Sequence, residues 1–223
     1  MLLPPLDFPT PQNGREARAI QQALREKLRI ENDFGTLDTV AGIDVGYNLK
    51  TGMSRASIVV MPFDTLEAAE QLVVEVPTAF PYIPGLLSFR EIPAILAALA
   101  QLKSMPDLLM VDGQGIAHPR RMGIAAHLGV LLDMPAIGVA KSRLVGDYVE
   151  PGMEKGAATS LTDKDELIGT VLRSKDKVKP LFISPGHRVD VPTALAVTLR
   201  CLTRYRLPEP TRVADKFSKV IKT

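Results

Sequence analysis

"TVAGIDVGY", residues Thr39–Tyr47, is short, apolar and β-branched, and it is bounded by turn residues, so it predicts a buried strand. "RASIVVMPF" (55–63) and "AEQLVVEVP" (69–77) follow as two further strands at roughly hairpin separation. Upstream, "REARAIQQALREKL" (15–28) carries Ala17, Ile20, Ala23, Leu24 and Leu28 at helical spacing. Downstream, Ile92, Ile95, Leu96, Leu99 and Leu102 predict a helix, "DLLMVDG" (107–113) a strand covered on both faces, "RRMGIAAHLGVLLDM" (120–134) a helix and "PAIGVAK" (135–141) a strand. "IGTVLRS" (168–174) and "KPLFIS" (179–184) suit an antiparallel pair, and "PTALAVTLRCLTRY" (192–205) a late helix with Pro192 near its first turn. This order predicts an α/β layer fold with a mixed sheet, antiparallel for the first three strands and parallel afterwards. Residues 149–166, "VEPGMEKGAATSLTDKDE", read as a surface excursion within one domain spanning 1–223.

The chain has 223 residues, 46% of them apolar and 23% charged, which suits a globular protein. Its one cysteine, Cys201, excludes an internal disulfide, fits a reducing compartment and reads as a buried hydrophobe. The opening "MLLPPLDFPTPQNGREAR" is too rich in proline, and too poor in basic residues at its start, to predict a signal peptide. No apolar run approaches a membrane span, so a cytoplasmic protein is expected. From Val171 onward, twelve Lys and Arg stand against four acids, so this quarter carries +8 and the remainder −6 of the net +2. A basic end of this kind suggests a polyanionic partner or a solvated tail.

Two acids stand where a core is expected. Asp44 lies between Ile43 and Val45, and Asp112 ends "LLMVDG". Acids are depleted in strands and costly to bury unpaired. One alone could cap a glycine turn. On neighbouring strands, two carboxylates would converge at one sheet edge, repel, and raise each other's pKa unless a divalent cation held them. A carboxylate site without Cys or paired His suits Mg²⁺ or Mn²⁺ rather than Zn²⁺. Glu91 is a third candidate, although Ser88-x-x-Glu91 also matches a capping box, which Pro93 complicates.

Around Asp112 the chain reads "VDGQGIAHPRRMG", where glycines allow close backbone approach. Its lone GxG is a weak nucleotide signal. Arg120 and Arg121 could face phosphates or begin a helix, and Lys141 emerges at a strand end, where it could meet a phosphate oxygen or only solvent. His118 reads as a loop residue, His127 as a packing residue, and "SPGHR" as a type II turn on Pro185 and Gly186. The stretch "PYIPG" (81–85) is a proline-stiffened strut carrying Tyr82 and Ile83 in neither a helical nor a strand period; the two could fold inward.

Taken in order, "AGIDVGY", "PYIPGLLSFRE", "VDGQGIAHPRRMGIAAHLG", "IGVAKSRL", "SPGHRV", "RLPEPTR" and "TRVAD" resemble the endonuclease V family over nearly the whole chain. The resemblance implies a ribonuclease H-like three-layer fold around a mixed sheet. It further implies a Mg²⁺-dependent endonuclease, Mn²⁺ substituting, acting in DNA repair. Such an enzyme recognises hypoxanthine in DNA containing deoxyinosine, or in inosine-containing RNA, and hydrolyses the second phosphodiester bond on its 3′ side, leaving 3′-hydroxyl and 5′-phosphate ends. It makes Asp44, Glu91 and Asp112 the metal carboxylates, adds Asp215 near the metal, and sets Lys141 at the scissile phosphate. Pro81, Tyr82, Ile83, Pro84 and Gly85 become a wedge replacing the extruded base, with Tyr82 and Ile83 against its neighbours. Gly113, Gly115 and His118 become the wall of the base pocket. A monomer is expected. Two rival readings are a binding module of the same fold whose catalysis has lapsed, and an enzyme using the GxG on small nucleotides.

Overall fold

The structure, a computed structural model, describes residues 8–219, so residues 1–7 of the opening stretch and Lys222 of the basic end lie outside the described residues. After α1 (Gly14–Arg25), capped by the Asn13 side chain, come β1 (Thr39–Asn48), β2 (Met53–Pro62) and β3 (Glu70–Pro77). Then follow α2 (Leu87–Leu99), β4 (Leu108–Val111), α3 (Ile124–Leu132), β5 (Ala136–Ala140), β6 (Ala158–Asp163), β7 (Glu166–Leu172), β8 (Leu181–His187), α4 (Val191–Arg200) and α5 (Glu209–Ser218). The eight strands form one sheet in the order β3-β2-β1-β4-β5-β8-β7-β6.

Only the β1–β4 and β4–β5 pairings are parallel; β2 and β3 on one side, and β8, β7 and β6 on the other, are each added by antiparallel pairing. The expectation of parallel strands after the meander therefore ends at β5. Strand β6 lies inside the stretch read as a loop. It is an edge strand on which Leu161 is the one buried hydrophobe, so it lacks an apolar signature. It joins β7 through Lys164 and Asp165, both at positive φ, the geometry of a type I′ hairpin without the usual Asn-Gly marker. Pro185 and Gly186 are not a type II turn either. They lie in β8 where the register against β5 shifts, a bulge that tolerates a residue lacking an N–H.

Alternation along the central strands builds two cores. Ala41, Ile43, Leu109 and Val111 face Ile92, Ile95, Ile124 and Leu128 of α2 and α3. Val40, Leu108, Met110, Ile137 and Val139 face Ala194, Val197 and Ala214 of α4 and α5. The result is a three-layer α/β/α arrangement. Cys201 is buried in the second core, as expected, and its thiol is pushed up to about 12 by burial. Helix α5, which the sequence pattern did not reveal, lies directly on β1. β-Carbons at Gly42 and Gly46 would stand 2.0 Å from Pro210 O and 2.2 Å from Ser218 O, so only glycine admits this helix. No helix among the described residues is long and apolar enough to cross a membrane.

Candidate active site

Gly42 and Gly46 bracket Asp44, and strand alternation turns Asp44 toward α5 with them. The parallel register pairs Ile43 with Val111, and Asp112 N donates to Ile43 O at 2.8 Å, so Asp44 and Asp112 stand side by side. The next strand, β5, ends at Ala140 and presents Lys141. Across this row α5 lowers Asp215. Carboxylate oxygens of Asp44, Asp112 and Asp215 lie within 4.8 Å of one another. Glu91, on α2, is not one of these three, yet its carboxyl is pushed up to about 8 by burial and then by the charges of Asp44 and Asp112. The capping-box alternative for Glu91 does not hold. Leu86 is the N-cap of α2 without a side-chain bond, Ser88 Oγ instead meets His127 Nδ1 at 2.9 Å, and the helix runs on through Pro93.

Lys141 Nζ lies 2.5 Å from Asp112 Oδ2 and 2.5 Å from Asp215 Oδ1. Burial lowers its pKa, but Asp112 and Asp215 outweigh that and raise it, so it is a fixed cation. The Asp112 carboxyl is pushed up to about 7, by burial and by Asp44, with Lys141 opposing. Burial would also raise Asp215, but Lys141 and Lys219 together hold it below the ordinary carboxylate range. Despite the short ion pair, Asp112 Oδ2 is buried and accepts no directed hydrogen bond. Crowded carboxylates, one oxygen left without a directed donor, and no Cys or His among them are the donor set of a hard divalent cation. The residues fit such an ion.

Asp112 and Lys141 also line a cavity of about 380 Å³ walled by Tyr82, Ile83, Pro84, Gly85, Gly113 and His118. Gly115 stands back from it: its N–H binds Ser184 Oγ at 2.8 Å, and it packs against the Pro185 carbonyl. Pro81 is likewise not part of the wall. His118 Nε2 faces Gly85 O at 3.0 Å, and its Nδ1 accepts from Arg120 N at 3.2 Å, which assigns a neutral ring with the proton on Nε2. Burial, then Arg120, lowers its pKa to about 4. The strut splits the pair it carries: Tyr82 is 68% exposed, whereas Ile83 is half-buried against Ala17, Leu86 and Phe89.

Arg120 and Arg121 neither begin a helix nor stand free for phosphates. Arg120 binds Gln21 and Gly85, and Arg121 pairs with Asp163 and Glu166 at 2.8 Å each. Part of the basic end is structural too. Arg173 is buried against Glu150, and Arg206 donates to the carbonyls of Lys179, Pro180 and Lys141. Two contributors escaped the sequence reading. Ser218 Oγ donates to Asp44 Oδ2, and a serine at a helix end carries no sequence signal for that. Gln21, a polar residue on the apolar stripe of α1, was detectable as a break in the pattern.

A family model described as Endonuclease V matches residues 22–216. The chain is 52% identical over 211 residues to Endonuclease V of Rippkaea orientalis, covering 95% of this chain and 92% of that one. Its fold is similar to the crystal structure of Endonuclease V from Streptomyces avermitilis, with a TM-score of 0.89, 41% identity and coverage of 96% and 94%. It is also similar to Ciona intestinalis Endonuclease V in complex with a 24mer DNA containing an inosine followed by a ribo-adenosine, with a TM-score of 0.80, 30% identity and coverage of 92% and 95%. The ribonuclease H-like fold class expected from the sequence holds.

Proposed function

The chain belongs to the endonuclease V family and is an endonuclease, and on that premise we propose that it recognises hypoxanthine in nucleic acid and hydrolyses the second phosphodiester bond 3′ to it. The products carry 3′-hydroxyl and 5′-phosphate ends, and the role is DNA repair by a single-domain, cytoplasmic monomer. The observation that carries this reading is that Asp112, a member of the acid cluster, and Lys141, paired with it, also line the wall of the cavity. A group held in the cavity and a phosphodiester at the acids are thus within one nucleotide's reach. The inosine-containing DNA bound by the Ciona relative supports the same substrate class.

Asp44, Asp112 and Asp215, with Glu91 behind them, would hold Mg²⁺, or Mn²⁺ in its stead. When bound, the ion supplies Lewis acidity to the phosphodiester. Lys141, already fixed as a cation, stabilises the charge that develops on the phosphoryl oxygens. Tyr82 stands proud of the surface and fills the gap left by an extruded base, offsetting lost stacking of a few kcal/mol. The neutral His118 and the backbone at Gly113 line the space the base would enter. Exposed Lys and Arg of the last quarter hold the backbone without reading sequence.

The test is cleavage of a labelled strand carrying one deoxyinosine or inosine, as DNA and as RNA, with Mg²⁺, Mn²⁺ or chelator. A metal-dependent cut one bond beyond the lesion's own 3′ phosphate is expected. Binding without any cut would leave a lapsed enzyme.

A further inference from the structure

The base of the 81–85 strut hangs on one oxygen. Gly85 O accepts from Arg120 Nη2 at 2.7 Å, His118 Nε2 at 3.0 Å and Gln21 Nε2 at 3.2 Å. A carbonyl offers two lone pairs, so three donors crowd it beyond ordinary backbone satisfaction. They come from two segments far apart in sequence, α1 and the loop after β4. The one other backbone hydrogen bond that residues 81–85 make among the described residues is Leu86 N to Ile83 O, at 3.0 Å. Gly85 itself sits at φ +76, and a β-carbon there would stand 2.9 Å from Arg120 Nη2, so glycine is required for the oxygen to meet its donors.

Gln21 is 1% exposed, and its amide is almost wholly committed. Nε2 also donates to Met122 O at 3.2 Å, while Oε1 accepts from Arg120 Nε at 2.6 Å. Carbonyls on one side and a guanidinium on the other fix which amide atom is which. A buried amide on an apolar helix stripe is destabilising unless such bonds are made, and a leucine would fill the space without needing them. The same helix also grips the strut through apolar contact: Ile83 packs against the cluster that holds Ala17, and a β-carbon at Gly14 would touch Ile83 Cδ1 at 3.4 Å.

We propose that α1 is a brace for the strut and that Gln21 is its positioning residue, fixing Gly85 O and with it the height at which Tyr82 stands above the surface. The role in catalysis rests on the wedge reading of Tyr82 given above. A paired strand resists extrusion of a base and pushes back on whatever replaces it, whereas a single strand does not. A strut loosened at its base therefore loses purchase on duplex while keeping most of its use on an unpaired lesion.

The test uses Gln21→Met in the full chain and two readouts. Amide hydrogen exchange of the free protein should speed up about tenfold over residues 81–87 and stay unchanged in β1 and β4, the size expected when the strut loses its one bond to Gln21 and Arg120 loses the Gln21 oxygen that steadies it. Cleavage efficiency on a deoxyinosine-containing duplex should fall about tenfold more than on the same strand unpaired. Arg120→Met removes another donor from the same oxygen and should behave alike, which keeps the test open if Gln21→Met does not fold. Unchanged exchange over 81–87 in both variants would overturn the brace. Faster exchange with equal losses on duplex and single strand would overturn its role in opening paired strands. A wild-type protein that cuts neither strand refutes the hypoxanthine reading instead, and the exchange data still judge the brace.

Discussion

Gly46 faces the last residue of α5 so closely that a β-carbon there would stand 2.2 Å from the carbonyl oxygen of Ser218. That approach brings the Ser218 hydroxyl onto Asp44 and carries Asp215 to within ion-pair distance of Lys141. One missing methyl group on β1 thus positions part of the acid cluster from the far end of the chain.

Gly46→Ala should accordingly act on the site more than on the core. The backbone atom in the way cannot rotate aside, so α5 must shift, at a cost of about 1–3 kcal/mol. Displacing Asp215 should weaken Mn²⁺ binding by about tenfold or more, because ligand positions tolerate little error. Calorimetric titration of Mn²⁺ into the variant checks this; unchanged affinity would separate α5 from the metal site.

Lys141 bridges Asp112 and Asp215 at the spot where a divalent ion would neutralise the same charges. In Lys141→Met, kcat should fall by about 10²–10³, the scale of losing one group aimed at developing charge. Mn²⁺ affinity should hold or tighten, because a competing cation has been removed. A fall in metal affinity that tracks the fall in rate would make Lys141 a support for the acids rather than a partner of the phosphate.

The acids give the metal-free protein a pH dependence of definite sign. Asp112 and Glu91 bind protons more tightly folded than unfolded, with carboxyls at about 7 and about 8. Between the ordinary carboxylate range and those values the folded state holds the extra protons, so stability falls as pH rises through the window and stays low above it. Asp112→Asn should therefore stabilise the protein in chelator at about pH 9 by on the order of 1–3 kcal/mol relative to its effect near pH 4. Saturating Mg²⁺ should reverse the ranking, since the wild type alone keeps its full set of acids. Thermal melts at the two pH values, with and without Mg²⁺, decide it.

Much of the sheet was legible because its central strands carry continuous apolar runs, and the same runs made Asp44 and Asp112 conspicuous as acids in a core. Strand β6 was not, since an edge strand with Leu161 as its one buried hydrophobe carries no period to read. Helix α5 escaped for a different reason. Its sequence is polar and opens on prolines, and its docking depends on Gly42 and Gly46, far away in sequence. The basic surplus of the last quarter is plain in the sequence, but its division between structural and exposed side chains is not. Only the fold separates Arg173 and Arg206, committed to carbonyls, from side chains left in solvent. Likewise Ser88 looked like half of a capping box until His127 was brought against it from another helix.

Tyr82 and Ile83 are adjacent in sequence but differ in surroundings, and their variants should differ in kind. Tyr82 is 68% exposed, so Tyr82→Ala removes little packing and should leave the melting temperature nearly unchanged. If Tyr82 is the proposed wedge, its loss should instead fall on duplex substrates, where the ring would hold open the gap left by the base, and cleavage of an unpaired lesion should suffer less. Ile83 is half-buried against Ala17, Leu86 and Phe89. Ile83→Ala should cost about 1–2 kcal/mol of stability through lost apolar contact, and only as the strut loosens should discrimination fall. Melting curves together with the duplex-to-single-strand ratio of cleavage separate the two roles. If Tyr82→Ala lowers both rates equally, the exposed ring is a general contact to nucleic acid and the opening of a paired strand must be credited elsewhere.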